Sequence, residues 1–253
     1  MSDFNDEWIT QKNPKLEHFT WFTKTHLSAD KLQTFLRQNP TICSLSTQFW
    51  LLPNETAMME LKLDDLWITT DSLQQHDCEY LNMLHAKGVY KRLHINANAT
   101  QTVVDRMSSL KSLVRFIGTD IGEMVDLSSL VNLEVFTFIN LSGNCANVAN
   151  KPALAKSLQN LNEVNFAVAD IDDILPFVHL SPKLKKVVVF VLPSSKNPNQ
   201  AIHPVAMNRE REKLLAKTLY VSKVTIYIHE SKYLATKWKT TEIDLKLIEI
   251  KRI

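Results

Sequence analysis

Few residues in this sequence have types and spacings suited to chemistry. The single cluster of cysteine with histidine is His76, Cys78 and His85. On a helix Cys78 and His85, seven apart, share a stripe while His76 projects elsewhere, so ordinary packing and surface roles fit better than a zinc site. Cys43 and Cys145 have no evident base nearby and read as small, half-buried hydrophobes rather than nucleophiles. Asp64 and Asp65, and the group Asp170, Asp172 and Asp173, carry oxygen ligands for a hard metal but lack a spaced ligand loop. A solvated strand edge and an acidic helix N-terminus are the simpler readings. HExxH, GxSxG, DxDxDG and Walker-type motifs are absent, and only four glycines are available for phosphate-cradling loops. The expectation is a protein with no catalytic residues, no metal and no cofactor.

Charge offers one further candidate. Residues 1–200 carry a net charge of -3 and residues 201–253 a net of +5. In the basic end, Lys223, Lys232, Lys237, Lys239, Lys246, Lys251 and Arg252 are possible phosphate contacts, with Tyr227, Tyr233 and Trp238 as stacking surfaces. Alternation from Ile243 to Ile253 favours instead a terminal strand that closes an exposed sheet end. No apolar run has the length of a membrane span, and no basic stretch followed by an apolar run marks a secretory leader. With only three cysteines, the expected setting is the cytoplasm or nucleus. In that setting the sequons at Asn54, Asn98 and Asn140 are coincidental.

The elements that would position these residues come from a repeat. An apolar residue, two others, an apolar residue, one other and an apolar residue recur at Leu16/Phe19/Trp21, Leu63/Leu66/Ile68, Tyr90/Leu93/Ile95 and Leu133/Phe136/Phe138. The same pattern returns at Leu161/Val164/Phe166, Leu184/Val187/Val189 and Val221/Val224/Ile226, and with a polar third member at Ile42/Leu45/Thr47. With a poorer unit starting at Leu110, first members lie 26, 21, 27, 20, 23, 28, 23 and 37 residues apart, mostly the period of a leucine-rich repeat. Residues two apart share a strand face, so each unit supplies one rung of a solenoid core. Between rungs, 28–37, 71–87 and 152–158 have helical apolar spacing, and 206–219 is helix-like. At Leu110 the third member would be Arg115, which cannot lie unpaired in a dry core, and shifting to Leu113/Phe116 makes it Gly118, so that unit is irregular or out of register.

The fold class read from this pattern is an α/β leucine-rich-repeat solenoid: a curved parallel sheet with helices on its convex side and irregular repeats. Residues 1–15 are a lead or cap, 16–230 about nine rungs, and 231–253 a C-terminal cap.

Across roughly residues 13–230 these rungs and inter-rung helices resemble the leucine-rich-repeat portion of an insect F-box/leucine-rich-repeat protein. The segment YVSKVTIYIHESKYLATKWKTTEIDLKLIEIKRI resembles the terminal segment of dipteran relatives. In that family a helical F-box module docks on a cullin-type ubiquitin ligase while the repeats select a substrate. Only residues 1–15 precede the first rung, too little for that module, so the chain is expected to be either a repeat fragment or a repeat-only relative that binds without recruiting a ligase; the resemblance implies protein recognition and transfers no ubiquitin-ligase activity.

In this register the residue after each third apolar position, and the one between the second and third, project from the concave face. Phe22, Trp67, Phe116, Ile139, Phe190 and Tyr227 then form an exposed ridge suited to anchoring a protein or peptide. The function expected is a non-enzymatic protein-recognition scaffold, and the resemblance implies substrate selection of the kind F-box relatives perform. A nucleic-acid-binding repeat protein using the basic end is the alternative.

Overall fold

The computed structural model describes residues 11–21, 29–119, 125–139, 151–169, 171–191, 202–239 and 245–253. Phe22, Cys145, Asp170, the Asn140 sequon, Ile243 and the Trp238 side chain lie outside the described residues. The strands are β1 His18–Thr20, β2 Ser44–Gln48, β3 Leu63–Thr70, β4 Tyr90–Asn98, β5 Leu113–Thr119, β6 Val135–Ile139, β7 Glu163–Val168, β8 Lys186–Val191, β9 Val224–Ile228 and β10 Ile248–Arg252. The helices among the described residues are α1 Ala29–Gln38, α2 Glu55–Met58, α3 Gln75–Ala86, α4 Gln101–Met107, α5 Lys151–Ser157, α6 Ile171–Leu180, α7 Pro204–Leu215 and α8 Glu230–Lys239. The fold is α/β, with one parallel ten-stranded sheet whose lateral order is the order of the chain. Within it the chain divides into two compact units: residues 1–97 with 109–114, and residues 98–108 with 115–253.

In the first unit, register stacks the apolar positions of successive strands. Leu45 pairs with Leu66 and Leu66 with Leu93, while Thr47 pairs with Ile68 and Ile68 with Ile95. All six are buried. Helix α3 starts where the Gln74 N–H donates to Asp77 Oδ2 at 2.8 Å, and it stops at Gly88, whose φ of 72° lies in the left-handed region that suits glycine. Asn54 caps α2 by accepting from the Ala57 N–H at 3.1 Å, so this sequon residue has an intrachain use. Tyr90 is buried with its hydroxyl 2.9 Å from the Leu81 carbonyl and 3.1 Å from Ser112 Oγ. Burial pushes that phenol up to about 12 against the opposing pull of the Ser112 hydrogen bond.

In the second unit, one row runs Phe116, Phe136, Val164, Val187, Ile226 and Ile250, and the next Gly118, Phe138, Phe166, Val189 and Ile228. Phe116 stacks on Phe136 with centroids 5.7 Å apart, Phe138 on Phe166 at 4.7 Å, and Phe177 of α6 meets Phe166 edge-on at 5.9 Å. This register corrects the irregular rung. Its members are Leu113, Phe116 and Gly118, so Phe116 is core rather than a ridge residue, and Arg115 leaves the dry row.

The last expected rung is corrected too. Lys186 pairs with Thr225 and Val187 with Ile226, so β9 is displaced by two residues from the register that placed Val224 beside Val187. An even shift preserves the face, and Tyr227 stays off the core side.

A turn missed in the sequence leads into the rungs. The N–H of Ile42, Leu113, Leu133, Leu161 and Leu184 donates to the carbonyl three residues earlier, at Asn39, Leu110, Leu130, Leu158 and Ser181. Leu110 is therefore a turn residue and not a first apolar position. Where the site is polar it ties one repeat to the preceding one. Asn39 Oδ1 accepts from the Asn13 N–H at 2.6 Å, and Ser181 Oγ donates to the Ala155 carbonyl at 3.0 Å.

Candidate protein-recognition surfaces

The sheet face turned away from the core carries the ridge positions, and each unit presents its own set. In the first unit, Trp67 of β3 is half-buried and lies opposite His94 of β4. The two rings stack with centroids 4.0 Å apart and an interplanar angle of 6°. Two positions earlier in register, on the same face, Asp65 meets Arg92. The Asp65 carboxylate holds His94 Nε2 at 2.6 Å through Oδ1 and accepts from Arg92 Nη2 at 2.8 Å through Oδ2. Burial pushes the Asp65 carboxyl up, but the His94 and Arg92 hydrogen bonds outweigh it and hold the group below its usual range. A carboxylate fixed on two sides orients the imidazole against the indole, making a preorganised aromatic plate.

In the second unit, Thr137, Glu163, Asn165, Lys186, Val188, Phe190, Tyr227 and Ile253 line an open depression of about 520 Å³. Phe190 is 53% and Ile253 56% exposed, an unusual state for large apolar side chains in a strand and at a strand end. The floor is a polar lattice: Asn165 Nδ2 donates to Glu163 Oε1 at 2.9 Å and to Thr137 Oγ1 at 3.2 Å. Lys186 Nζ lies 3.4 Å from Glu163 Oε1 and 5.9 Å from the centroid of the Tyr227 ring.

Of the expected ridge, Phe190 and Tyr227 meet in this depression, Ile139 is half-buried on β6, and Trp67 belongs to the first unit. Phe116 is absent from the face. Lys186, Glu163 and Arg92 were missed, and Asp65 was read only as a strand-edge carboxylate, although continuing the two-residue alternation one step toward each strand's start reaches all four.

Most of the remaining described candidates have intrachain partners. His76 Nε2 is 2.9 Å from Asp77 Oδ1, Cys78 is buried, and the His85 ring faces Tyr90 at 5.5 Å. Among the described residues no three histidine, cysteine or acidic side chains are grouped to hold a metal. Cys43 Sγ donates to the Glu17 carbonyl at 3.4 Å. Asp64 pairs with Lys91 at 2.7 Å, and Asp173 pairs with Lys151. At the basic end, Lys223 and Lys251 pair with Glu249 at 3.5 and 3.3 Å, and Arg252 with Glu230 at 2.9 Å. None of the described helices is long and apolar enough to cross a membrane.

No protein-family model matches the chain, and no curated protein matches it significantly.

Proposed function

We propose that this chain is a leucine-rich-repeat scaffold that recognises a protein or peptide on the face of its sheet turned away from the core and performs no catalysis. The observation that carries the reading is the second unit's depression, where Phe190 and Ile253 are more than half exposed beside Val188 and Tyr227. Such aromatic and aliphatic groups are the usual energetic anchors of an interface. The lining of the depression, where the exposed Phe190 and Ile253 stand with Val188 and Tyr227 beside a single lysine, Lys186, supports protein recognition over contact with a phosphate backbone. The resemblance to F-box/leucine-rich-repeat proteins adds substrate selection for a ubiquitin ligase as the biological setting.

The test is affinity capture from native extract with the intact chain and with Phe190→Ser. Proteins retained by the first and lost by the second, at an unchanged unfolding midpoint, support the reading. Retention of the same proteins by both removes the face from consideration. Specific, salt-sensitive binding to a mixed panel of RNA and DNA favours the nucleic-acid alternative.

A further inference from the structure

The charges around the second unit's depression are sorted by depth. Register sets Glu163, Lys186, Thr225 and Glu249 in one row across β7 to β10, and Asn165, Val188, Tyr227 and Lys251 in the next. Within the first row the carboxylates are the recessed, satisfied groups. Glu163 accepts from Asn165, and Glu249 accepts from Thr225 Oγ1 at 3.2 Å. Glu163 and Glu249 side chains are 20% and 36% exposed, against 43%, 52% and 47% for Lys186, Lys223 and Lys251. The ammonium groups approach those carboxylates at 3.3 to 3.5 Å, longer than the roughly 2.7–2.9 Å of a tight charge-assisted bond. Each ammonium has three donors, so each keeps hydrogen-bonding capacity for a partner. The outward charge is therefore positive, and one of the three lysines, Lys186, lines the depression with the exposed Phe190 and Ile253.

From this charge complementarity we propose that the partner presents an acidic, apolar segment. Its aromatic or aliphatic side chain sits against Phe190, Val188 and Tyr227, and a neighbouring Asp or Glu meets Lys186. Cationic segments are rejected, because Lys186, Lys223 and Lys251 would face them at short range. The Lys186 charge sits one row, about 7 Å along the strands, from the Val188 and Tyr227 anchors, the reach of neighbouring residues in an extended peptide, and Phe190 lies one row beyond. The proposal rests on the recognition reading and names the chemistry of its partner.

The probe is a phage-displayed library of random twelve-residue peptides selected on the intact chain. The expected outcome is enrichment of clones in which Phe, Leu, Ile or Trp adjoins Asp or Glu. Binding of those clones should fall by about tenfold or more on Phe190→Ser, and by about three- to tenfold on Lys186→Gln. It should also weaken by several-fold between roughly 50 and 300 mM salt. Both substituted side chains are exposed, so unchanged thermal midpoints separate lost binding from lost folding.

Neutral or basic clones that nonetheless depend on Phe190 would overturn the acidic assignment while leaving face recognition standing. Failure to enrich any clone sensitive to Phe190→Ser would overturn both. Displacement of Phe190-dependent clones by homopolymeric RNA would also overturn the proposal, in favour of a nucleic-acid partner.

Discussion

Replacing Arg211 by methionine should cost this protein about 3 kcal/mol of stability, through carbonyl groups rather than a lost ion pair. Arg211 in α7 has no exposed surface. Its Nη1 donates to the carbonyls of Val178 at 2.6 Å and Ser181 at 3.3 Å, and its Nη2 to those of Ser222 at 2.6 Å and Pro182 at 3.4 Å. Val178 and Ser181 belong to the last turn and exit of α6, whose carbonyls lack helical donors and carry the negative end of the dipole. Ser222 precedes β9. One side chain thereby joins α6, α7 and the entry to a strand.

The balance has two sides. Burial lowers the guanidinium to about 10, a penalty on the charged form of about 3 kcal/mol that the variant recovers. Against this, breaking each of the two short charge-assisted bonds strands a buried carbonyl and costs up to about 3 kcal/mol, about 6 kcal/mol for the pair. Methionine fills most of the stem volume, so cavity formation adds little. The net destabilisation of about 3 kcal/mol corresponds to a fall in Tm of about 6–12 °C for a chain of this size. Differential scanning calorimetry on wild type, Arg211→Met and Arg211→Lys is the assay. Lysine should recover part of the loss, because a point charge with three donors cannot reach all four carbonyls in their present geometry. A Tm for Arg211→Met within 1–2 °C of wild type would refute the carbonyl argument, since it would correspond to a change of only about 0.5 kcal/mol.

Phe116→Ala should cost about 3–5 kcal/mol by opening a cavity beside Phe136, whereas Phe190→Ala should change stability by less than about 0.5 kcal/mol; equal losses in urea melts would contradict the register of β5. Thr47 is buried in an apolar row and its Oγ1 has no hydrogen-bond partner among the described residues. Thr47→Val, which keeps the branched shape and removes the stranded hydroxyl, should raise Tm by about 2–4 °C, and a fall would argue against it. Asp65 has a folded pKa below its free value of 3.8, so its stabilising contribution is complete above that value and lost as pH falls through the lower folded one. The stability gap between wild type and Asp65→Asn should therefore close on acidification below about pH 4, and a gap unchanged from pH 7 to pH 3 would exclude this linkage.

What could be read from the chain depended on how local its cause was. Leu66 and Ile68, or Val164 and Phe166, announce their rung because strand alternation is a property of a few consecutive residues. Helix α3 was readable for a similar reason: Leu81 and Leu84 share a stripe, and Gly88 marks its end. The rung at β5 was misread because Leu110 and Leu113 have the same type and a three-residue spacing, while only the turn bond from Leu113 to Leu110 distinguishes entry from strand. That ambiguity carried Phe116 onto the wrong face. The roles of Arg211 and of the Asp65–His94–Trp67 group were invisible for a different reason. They depend on carbonyls and rings brought together from residues up to 33 positions apart, which no short window contains. The sorting of lysines outward and glutamates inward likewise exists only across strands.

Chain order and lateral order coincide, and this bears on how such a molecule changes length over generations. Glu163 and Lys186 occupy equivalent places in neighbouring strands, 23 residues apart. Excising residues 163–185 would join Asn162 to Lys186 at a point where Lys186 takes over the pairing of Glu163 with Val135, and duplicating the same stretch would insert a strand without altering those on either side. Gains and losses in whole multiples of a repeat are thus compatible with continued pairing, whereas the loss of one residue inside a strand reverses which side chains face water. Genetic drift in such a chain is constrained to move in steps, and the number of strands is freer to vary than the length of any one of them.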